Sequence, residues 1–166
     1  MTTRTTRTTR THPTGGPAAD TYADTYGALL GRHLAAENAR RLDETLATLT
    51  EDCVFEDMAL GRVFRGRRGA GACYRMWWDA FELVVHGERL HWTADGAAVA
   101  EARYRGTHTG PFLGIPPTGR SIDLPIAVVV TFEDGLMAGE RFYYDLATLL
   151  RQLGVESFVS LVGGQA

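Results

Sequence analysis

A chain of 166 residues with 45% apolar and 22% charged side chains has the size of one globular domain and enough apolar surface to close a core and a modest pocket. That excludes disorder throughout and leaves no room for a second catalytic domain. The chain stands at −3, but its first nineteen residues carry Arg4, Arg7 and Arg10 and no acid, so the remainder is at −6 and makes a poor binder of nucleic acid.

Every one of the 17 basic residues is arginine, which removes lysine Schiff-base chemistry. No stretch reaches the ~18 apolar residues of a membrane span, and the amino terminus lacks an apolar signal core. The expectation is a cytoplasmic protein without a membrane partner. Cys53 and Cys73 are too few for a disulfide framework and read as reduced core residues.

Residues 1–19 repeat Thr-Thr-Arg and then turn to Pro and Gly. They cannot bury enough to offset the entropy of ordering, so they read as a disordered tail. A domain over 20–156 and a short extension over 157–166 follow. From Asp20, Tyr22, Tyr26, Leu29 or Leu30, His33 and Ala36 recur at helical steps. Leu42, Leu46 and Leu49 predict a second, shorter helix. Cys53, Phe55 and Asp57 alternate with Val54, Glu56 and Met58, predicting a strand with an aromatic and a carboxylate on one face. Tyr74, Trp77, Trp78 and Phe81 stand at i, i+3, i+4 and i+7, predicting a third helix with an aromatic face.

Beyond it the pattern is of strands. Leu90 and Trp92 alternate with charged neighbours, and Ala100, Ala102, Tyr104, Gly106 and His108 do the same. Ser121 to Phe132 is β-branched and apolar, Glu133-Asp134-Gly135 is a hairpin signal, and Leu136 to Tyr144 returns along it. A last helix over Asp145 to Leu153 ends at Gly154. Helices first and antiparallel strands afterwards predict an α+β domain with helices packed on one face of a curved sheet.

Metal, nucleotide and serine chemistry find no motif. The five histidines form no His-x-x-x-His pair, Gly69-Ala-Gly71 lacks the strand and third glycine of a dinucleotide loop, and neither Ser121 nor Ser157 lies in a nucleophile elbow. No cofactor is expected.

The most specific segment is Gly106 to Arg120, with four glycines and three prolines in fifteen residues, which predicts a loop of fixed path. Together with Tyr144-Asp145 and Leu149-Leu150-Arg151-Gln152-Leu153-Gly154, it resembles the SnoaL-like polyketide cyclase family of the nuclear transport factor two-like superfold, over roughly Tyr26 to Gly154. The resemblance implies a cone in which a bent antiparallel sheet wraps around the helices and leaves an apolar cavity. It also implies a homodimer, a small polyketide-like substrate, and cofactor-free intramolecular aldol closure with the acid at Asp145 as acid/base. Many relatives carry Glu-x-Trp before that acid; counted from the hairpin glycine, Gly139 and Arg141 fall there. The superfold also hosts hydratases, epoxide hydrolases, hydroxylating enzymes and plain binding modules, so the fold does not assign the reaction.

The residues support that chemistry on their own terms. A methylene between two carbonyls loses its proton to one well-placed carboxylate, provided burial lifts that carboxylate toward neutrality. Asp145 follows Phe142, Tyr143 and Tyr144 and is a candidate general base; equally, it stands where a helix N-cap would. Asp57 reads either as a second pocket carboxylate or as a strand-end acid in solvent. His108, in phase with Tyr104, reads either as a donor to a carbonyl or as a histidine that pins the Pro-Gly loop. Arg141 either binds an anionic oxygen or pairs with Asp145, which would weaken the base. Phe55, Trp77, Trp78, Phe81, Tyr104, Phe112 and Tyr143 are the candidate walls of the substrate site. A non-catalytic module is the rival reading, favoured if no cavity of ~300 Å³ surrounds Asp145.

Overall fold

The computed structural model describes residues 17–155, with side chains from Thr21 onward. The elements are α1 (Pro17–Asn38), α2 (Leu42–Ala47), β1 (Leu49–Asp57), β2 (Arg62–Arg65), α3 (Gly66–Ala80), β3 (Phe81–Trp92), β4 (Ala98–His108), β5 (Ser121–Glu133), β6 (Leu136–Tyr144) and α4 (Leu146–Gln152). The predicted tail therefore yields its last three residues to α1, which proline opens at no cost in lost hydrogen bonds. The rest of that tail and the 157–166 extension lie outside the described residues. Among those described, no helix is long and apolar enough to cross a membrane.

The six strands form one sheet in the order β2-β1-β6-β5-β4-β3. The predicted α+β class holds, with one difference in the sheet. It is mixed rather than antiparallel throughout, because β1 runs parallel to β6, Val54 opposite Gly139 and Asp57 opposite Phe142.

Local chemistry explains most element ends. α1 stops at Arg40, whose left-handed φ of 53° lets its N–H reach the Glu37 carbonyl and the Arg41 N–H reach that of Ala36, at 2.9 Å each. This is the Schellman closure, normally given to glycine. Here the side chain compensates, for the Arg40 guanidinium donates to the carbonyls of Trp78 and Phe81 and ties α1 to the end of α3. Asp134 and Gly135 both have positive φ, the two-residue turn that suits a twisted hairpin. Gly154, at φ 90°, ends α4 as expected.

Two element predictions need correction. Leu49 is the first residue of β1, not the last of a helix, because Thr48 closes α2 by returning its hydroxyl to the Thr45 carbonyl. Phe81 is already extended and opens β3. β2 and the first half of β3 carry no prediction at all.

The Gly106–Arg120 loop does follow a fixed path. The N–H groups of Thr109 and Gly110 donate to the Ala80 carbonyl, and Phe112 and Ile115 exchange backbone hydrogen bonds. A Cβ at Gly110 would overlap the Asp79 carbonyl, so glycine alone fits there. Phe112, buried beneath the loop, packs on Trp77 and Phe81. Cys53 and Cys73 are buried and free, and burial pushes both thiols up.

Candidate active site

A cavity of about 410 Å³ lies between α1 and the concave face of the sheet. α1 offers it Gly27, Leu30, Gly31, His33, Leu34 and Glu37, the three- and four-residue steps of one helical face. The sheet offers Val85 and Leu90 of β3, Ala102 and Tyr104 of β4, Val128 and Val130 of β5, and Glu140 and Phe142 of β6. An apolar cavity of this size suits a small organic ligand. Its unusual feature is that three carboxyl groups line it, an exposed one on Glu88 beside Arg89 at the β3 rim and two better sheltered ones on Glu37 and Glu140.

Glu140 is 7% exposed. Burial first, and then the nearby charge of Glu37, push its carboxyl well above the usual range, which favours the protonated form. Glu37 is partly open, lines the cavity, and has no hydrogen bond or ion pair among the described residues. Burial raises it to about 7. Two of these carboxyls are thus set apart, one pushed well up by burial and one poised to exchange its proton near pH 7.

His33 backs Glu140, its Nε2 3.4 Å from Oε1. Burial lowers the imidazole to about 4, so it is neutral. Its tautomer follows from its neighbours. The Thr48 hydroxyl spends its proton on the Thr45 carbonyl at 2.6 Å and must accept from His33 Nδ1, also at 2.6 Å. Nδ1 therefore carries the hydrogen, and Nε2 accepts from the Tyr74 hydroxyl at 2.9 Å. Tyr104, on the cavity wall, has its phenol pushed well up by burial and stays a donor.

The residues expected from sequence are placed otherwise, with one exception. Tyr104 alone among them lines the cavity. Asp145 is exposed and caps α4: its carboxylate accepts from the Ala147 N–H at 2.9 Å and the Thr148 hydroxyl at 2.6 Å. These bonds, that to Thr148 foremost, lower its pKa, the reverse of what a general base there would need. Arg141 does not pair with it but faces Glu56 across the β1–β6 ladder at 3.8 Å.

Asp57 is buried, as a pocket carboxylate would be, but away from the cavity. Its Oδ1 accepts from the Leu60 N–H at 2.9 Å and shapes the turn before β2, and its Oδ2 accepts from the Tyr144 hydroxyl at 3.0 Å. His108 is fully buried, with Nδ1 accepting from the Thr118 N–H at 3.2 Å, so it pins the Pro-Gly loop; its Nε2 has no hydrogen-bond partner among the described residues. Phe55, Trp77, Phe81 and Phe112 are core, Trp78 stacks on Tyr74, and Tyr143 is 40% exposed.

Sequence reasoning passed over Glu37, Glu140 and His33 as site residues. Glu37 had a signal: it sits four residues beyond His33 on the buried stripe. Glu140 was hidden by a bulge. Thr131 pairs with Gly139 and Phe132 with Met137, so Ala138 is the extra residue and the alternation beyond it is reversed. Glu140 and Phe142 point inward as a result, and the Glu-x-aromatic pattern falls on them, one residue later than the count from the hairpin glycine.

Such an arrangement, an α+β domain in which α1 and a curved six-stranded sheet border an apolar cavity, is the ketosteroid isomerase-like fold of the nuclear transport factor two-like class. The SnoaL-like polyketide cyclase family matches residues 28–153, and the chain belongs to it. Among solved structures, TsrD from Streptomyces laurentii is 32% identical, with 80% of this chain and 96% of that one covered and a TM-score of 0.69. A candidate SnoaL-like polyketide cyclase from Jannaschia sp. CCS1 is 23% identical over 88% of this chain and 100% of that one, with a TM-score of 0.72. A protein of ketosteroid isomerase-like fold from Catenulispora acidiphila, solved with trimethylamine, is 19% identical over 76% and 92%, with a TM-score of 0.66. No match is found among curated proteins.

Proposed function

We propose that this protein is a cofactor-independent cyclase that closes a ring in a polyketide-type substrate by an intramolecular aldol step, with Glu37 as base and Glu140 as acid. The observation that carries the reading is the Glu37 carboxyl, unpaired among the described residues and raised to about 7, on the same apolar cavity as Glu140, whose carboxyl burial pushes well up.

Ionised Glu37 takes the proton from a methylene flanked by two carbonyls. The carbanion carbon bonds to a second carbonyl carbon of the same chain, whose π electrons move to oxygen, and the Glu140 proton goes to that oxygen. A net proton transfer from Glu37 to Glu140 restores the starting state. The sheltered cavity favours each step, since charge developing there is poorly screened by water. Tyr104 offers a phenolic donor to a carbonyl. His33, its Nε2 engaged by the Tyr74 hydroxyl, packs behind Glu140 at 3.4 Å.

Turnover of a linear β-keto ester separates this reading from the one based on Asp145. Glu37→Gln is expected to lose at least about 100-fold, and Asp145→Asn to retain turnover. The opposite pattern in folded variants overturns the assignment. Wild-type activity is expected to rise with pH through about 7 as Glu37 ionises. Incorporation of heavy oxygen from labelled water would point instead to hydration or epoxide opening, because aldol closure takes up none.

A further inference from the structure

The nitrogen nearest to Glu140 in the cavity wall is already engaged. A neutral imidazole has one acceptor nitrogen, and in His33 that is Nε2, because Nδ1 donates to the Thr48 hydroxyl at 2.6 Å. Two side chains from different elements stand at it. The Tyr74 hydroxyl of α3 donates to it at 2.9 Å, whereas Glu140 Oε1 of β6 stops at 3.4 Å. That is too long for an O–H hydrogen bond, which spans about 2.5–3.0 Å.

The position of Tyr74 is fixed by its neighbours. Its ring is 5% exposed, stacks on Trp78 with centroids 5.3 Å apart and meets Phe55 edge-on at 5.6 Å. Burial first, and then the charges of Glu140 and Glu37, push the phenol well up, so the hydroxyl keeps its proton and remains a donor. Glu140 borders the cavity and makes no hydrogen bond among the described residues. The other ionisable groups close enough to feel its charge are Glu37 of α1, Cys53 of β1, Cys73 of α3 and Tyr104 of β4. None of these competes for His33 Nε2.

We infer that Tyr74 is a positioning residue for proton delivery: by occupying His33 Nε2 it denies that nitrogen to Glu140 and leaves the Glu140 proton to a substrate oxygen in the cavity. The inference rests on the reading of Glu140 as acid. Its own evidence is the competition for one lone pair. With the phenol in place, the proton passes from Glu140 to the oxygen of the carbonyl under attack, leaving a carboxylate that the proton on Glu37 restores. Without it, the Glu140 O–H closes on an imidazole nitrogen, a stronger base than a carbonyl oxygen, and the proton stays in the wall.

Tyr74→Phe removes the hydroxyl and keeps the ring. Two spectra of the full chain without substrate read the result: nitrogen NMR of His33, and the infrared carbonyl stretch of the Glu140 carboxyl, identified as the band lost in Glu140→Gln. In Tyr74→Phe, Nε2 is expected to move toward the value of a protonated nitrogen and the stretch to fall, as Glu140 takes the vacated acceptor. With a linear β-keto ester, kcat should drop at least about tenfold and KM stay within about twofold. Combining Tyr74→Phe with His33→Leu removes donor and acceptor together, which costs little stability, and should recover most of the lost rate.

In Tyr74→Phe, Nε2 at the value of an unbonded ring nitrogen, an unchanged stretch, or a kcat equal to that of the wild type overturns the inference. So does a double variant as slow as Tyr74→Phe, since the phenol would then matter only as packing. Glu140→Gln separates the inference from the reading beneath it. Wild-type turnover in that variant overturns the acid role and the delivery with it, whereas a slow Glu140→Gln beside a fast Tyr74→Phe keeps the acid role and overturns the positioning one.

Discussion

His33 Nε2 and Glu140 Oε1 lie 3.4 Å apart, and burial works against charge on both, so the pair is not held as an ion pair. Burial lowers the imidazole to about 4 and holds the carboxyl well above its usual range. Removing both charges from water would cost more than their attraction returns. The consequence is a carboxyl on Glu140 that holds its proton more tightly than usual, and a second on the same cavity, Glu37, that exchanges its own near pH 7.

This pairing sets the pH dependence of stability. Between the usual carboxyl value of 4.5 and about 7, the folded chain holds a proton on Glu37 that the unfolded chain releases. That contribution is whole below pH 4.5 and is lost as pH rises through 7. His33 acts in the other window: between 6.5 and about 4 the unfolded chain takes a proton that the folded one refuses, so stability falls as pH drops. Glu37→Gln is therefore expected to match the wild type near pH 4.5 and to exceed it near pH 8, by up to about 3 kcal/mol in urea denaturation. A variant no more stable than the wild type near pH 8 would contradict the buried-carboxyl account.

Thr48 fixes the tautomer of His33, and its hydroxyl has no proton to spare for the ring. Thr48→Val leaves the buried Nδ1–H without an acceptor. The expected loss is about 1–3 kcal/mol, and nitrogen NMR of the ring should change from the Nδ1–H tautomer to a mixture. A ring spectrum unchanged in the variant would show that another group sets the tautomer.

Much of the fold can be read from periodicity, and its failures have physical causes. α1, α3, β4 and β5 bury one regular face each, so their patterns survive in the sequence. Phe81 continues the helical spacing of Tyr74, Trp77 and Trp78, and this masks the switch to β3 because no glycine or proline marks it. β2 is four residues long, with an exposed arginine at each end, too short to alternate legibly. The site was legible in part. Glu37 extends a stripe already recognised, whereas Glu140 depends on the Ala138 bulge, which leaves no mark in a single sequence. Asp145 misled because one position serves two roles equally well on paper, and only its bonds to Ala147 and Thr148 decide between them.

Asp145→Ala tests that decision. Loss of a side-chain acceptor at a helix N-terminus destabilises the helix, so the variant should melt at a lower temperature with cavity binding and turnover retained. Because its hydrogen bonds lower the Asp145 pKa, the stabilisation is present above the ordinary aspartate range and fades as pH falls through the folded value. The difference in melting temperature between variant and wild type should narrow in acid. Loss of turnover without loss of stability would return Asp145 to the chemistry.

Asn38 holds the cavity's two walls together. Val85 lies on β3, the edge strand of the sheet. The Asn38 side chain stands in for a neighbouring strand: its Nδ2 donates to the Val85 carbonyl at 3.0 Å, and its Oδ1 accepts from the Val85 N–H at 2.8 Å. Since Asn38 is the last residue of α1 and Val85 lines the cavity, this pair sets how far the helix stands from the sheet. Asn38→Leu keeps the approximate size but deletes both bonds and leaves two main-chain groups unpaired. The expected cost is about 2–3 kcal/mol, with faster hydrogen exchange at the Val85 amide. Asn38→Asp keeps the acceptor for the Val85 N–H and loses only the donor, so Val85 exchange should stay slow while the bond to its carbonyl is lost. Equal exchange at Val85 in Asn38→Leu and the wild type would mean that packing alone seats α1 on the sheet.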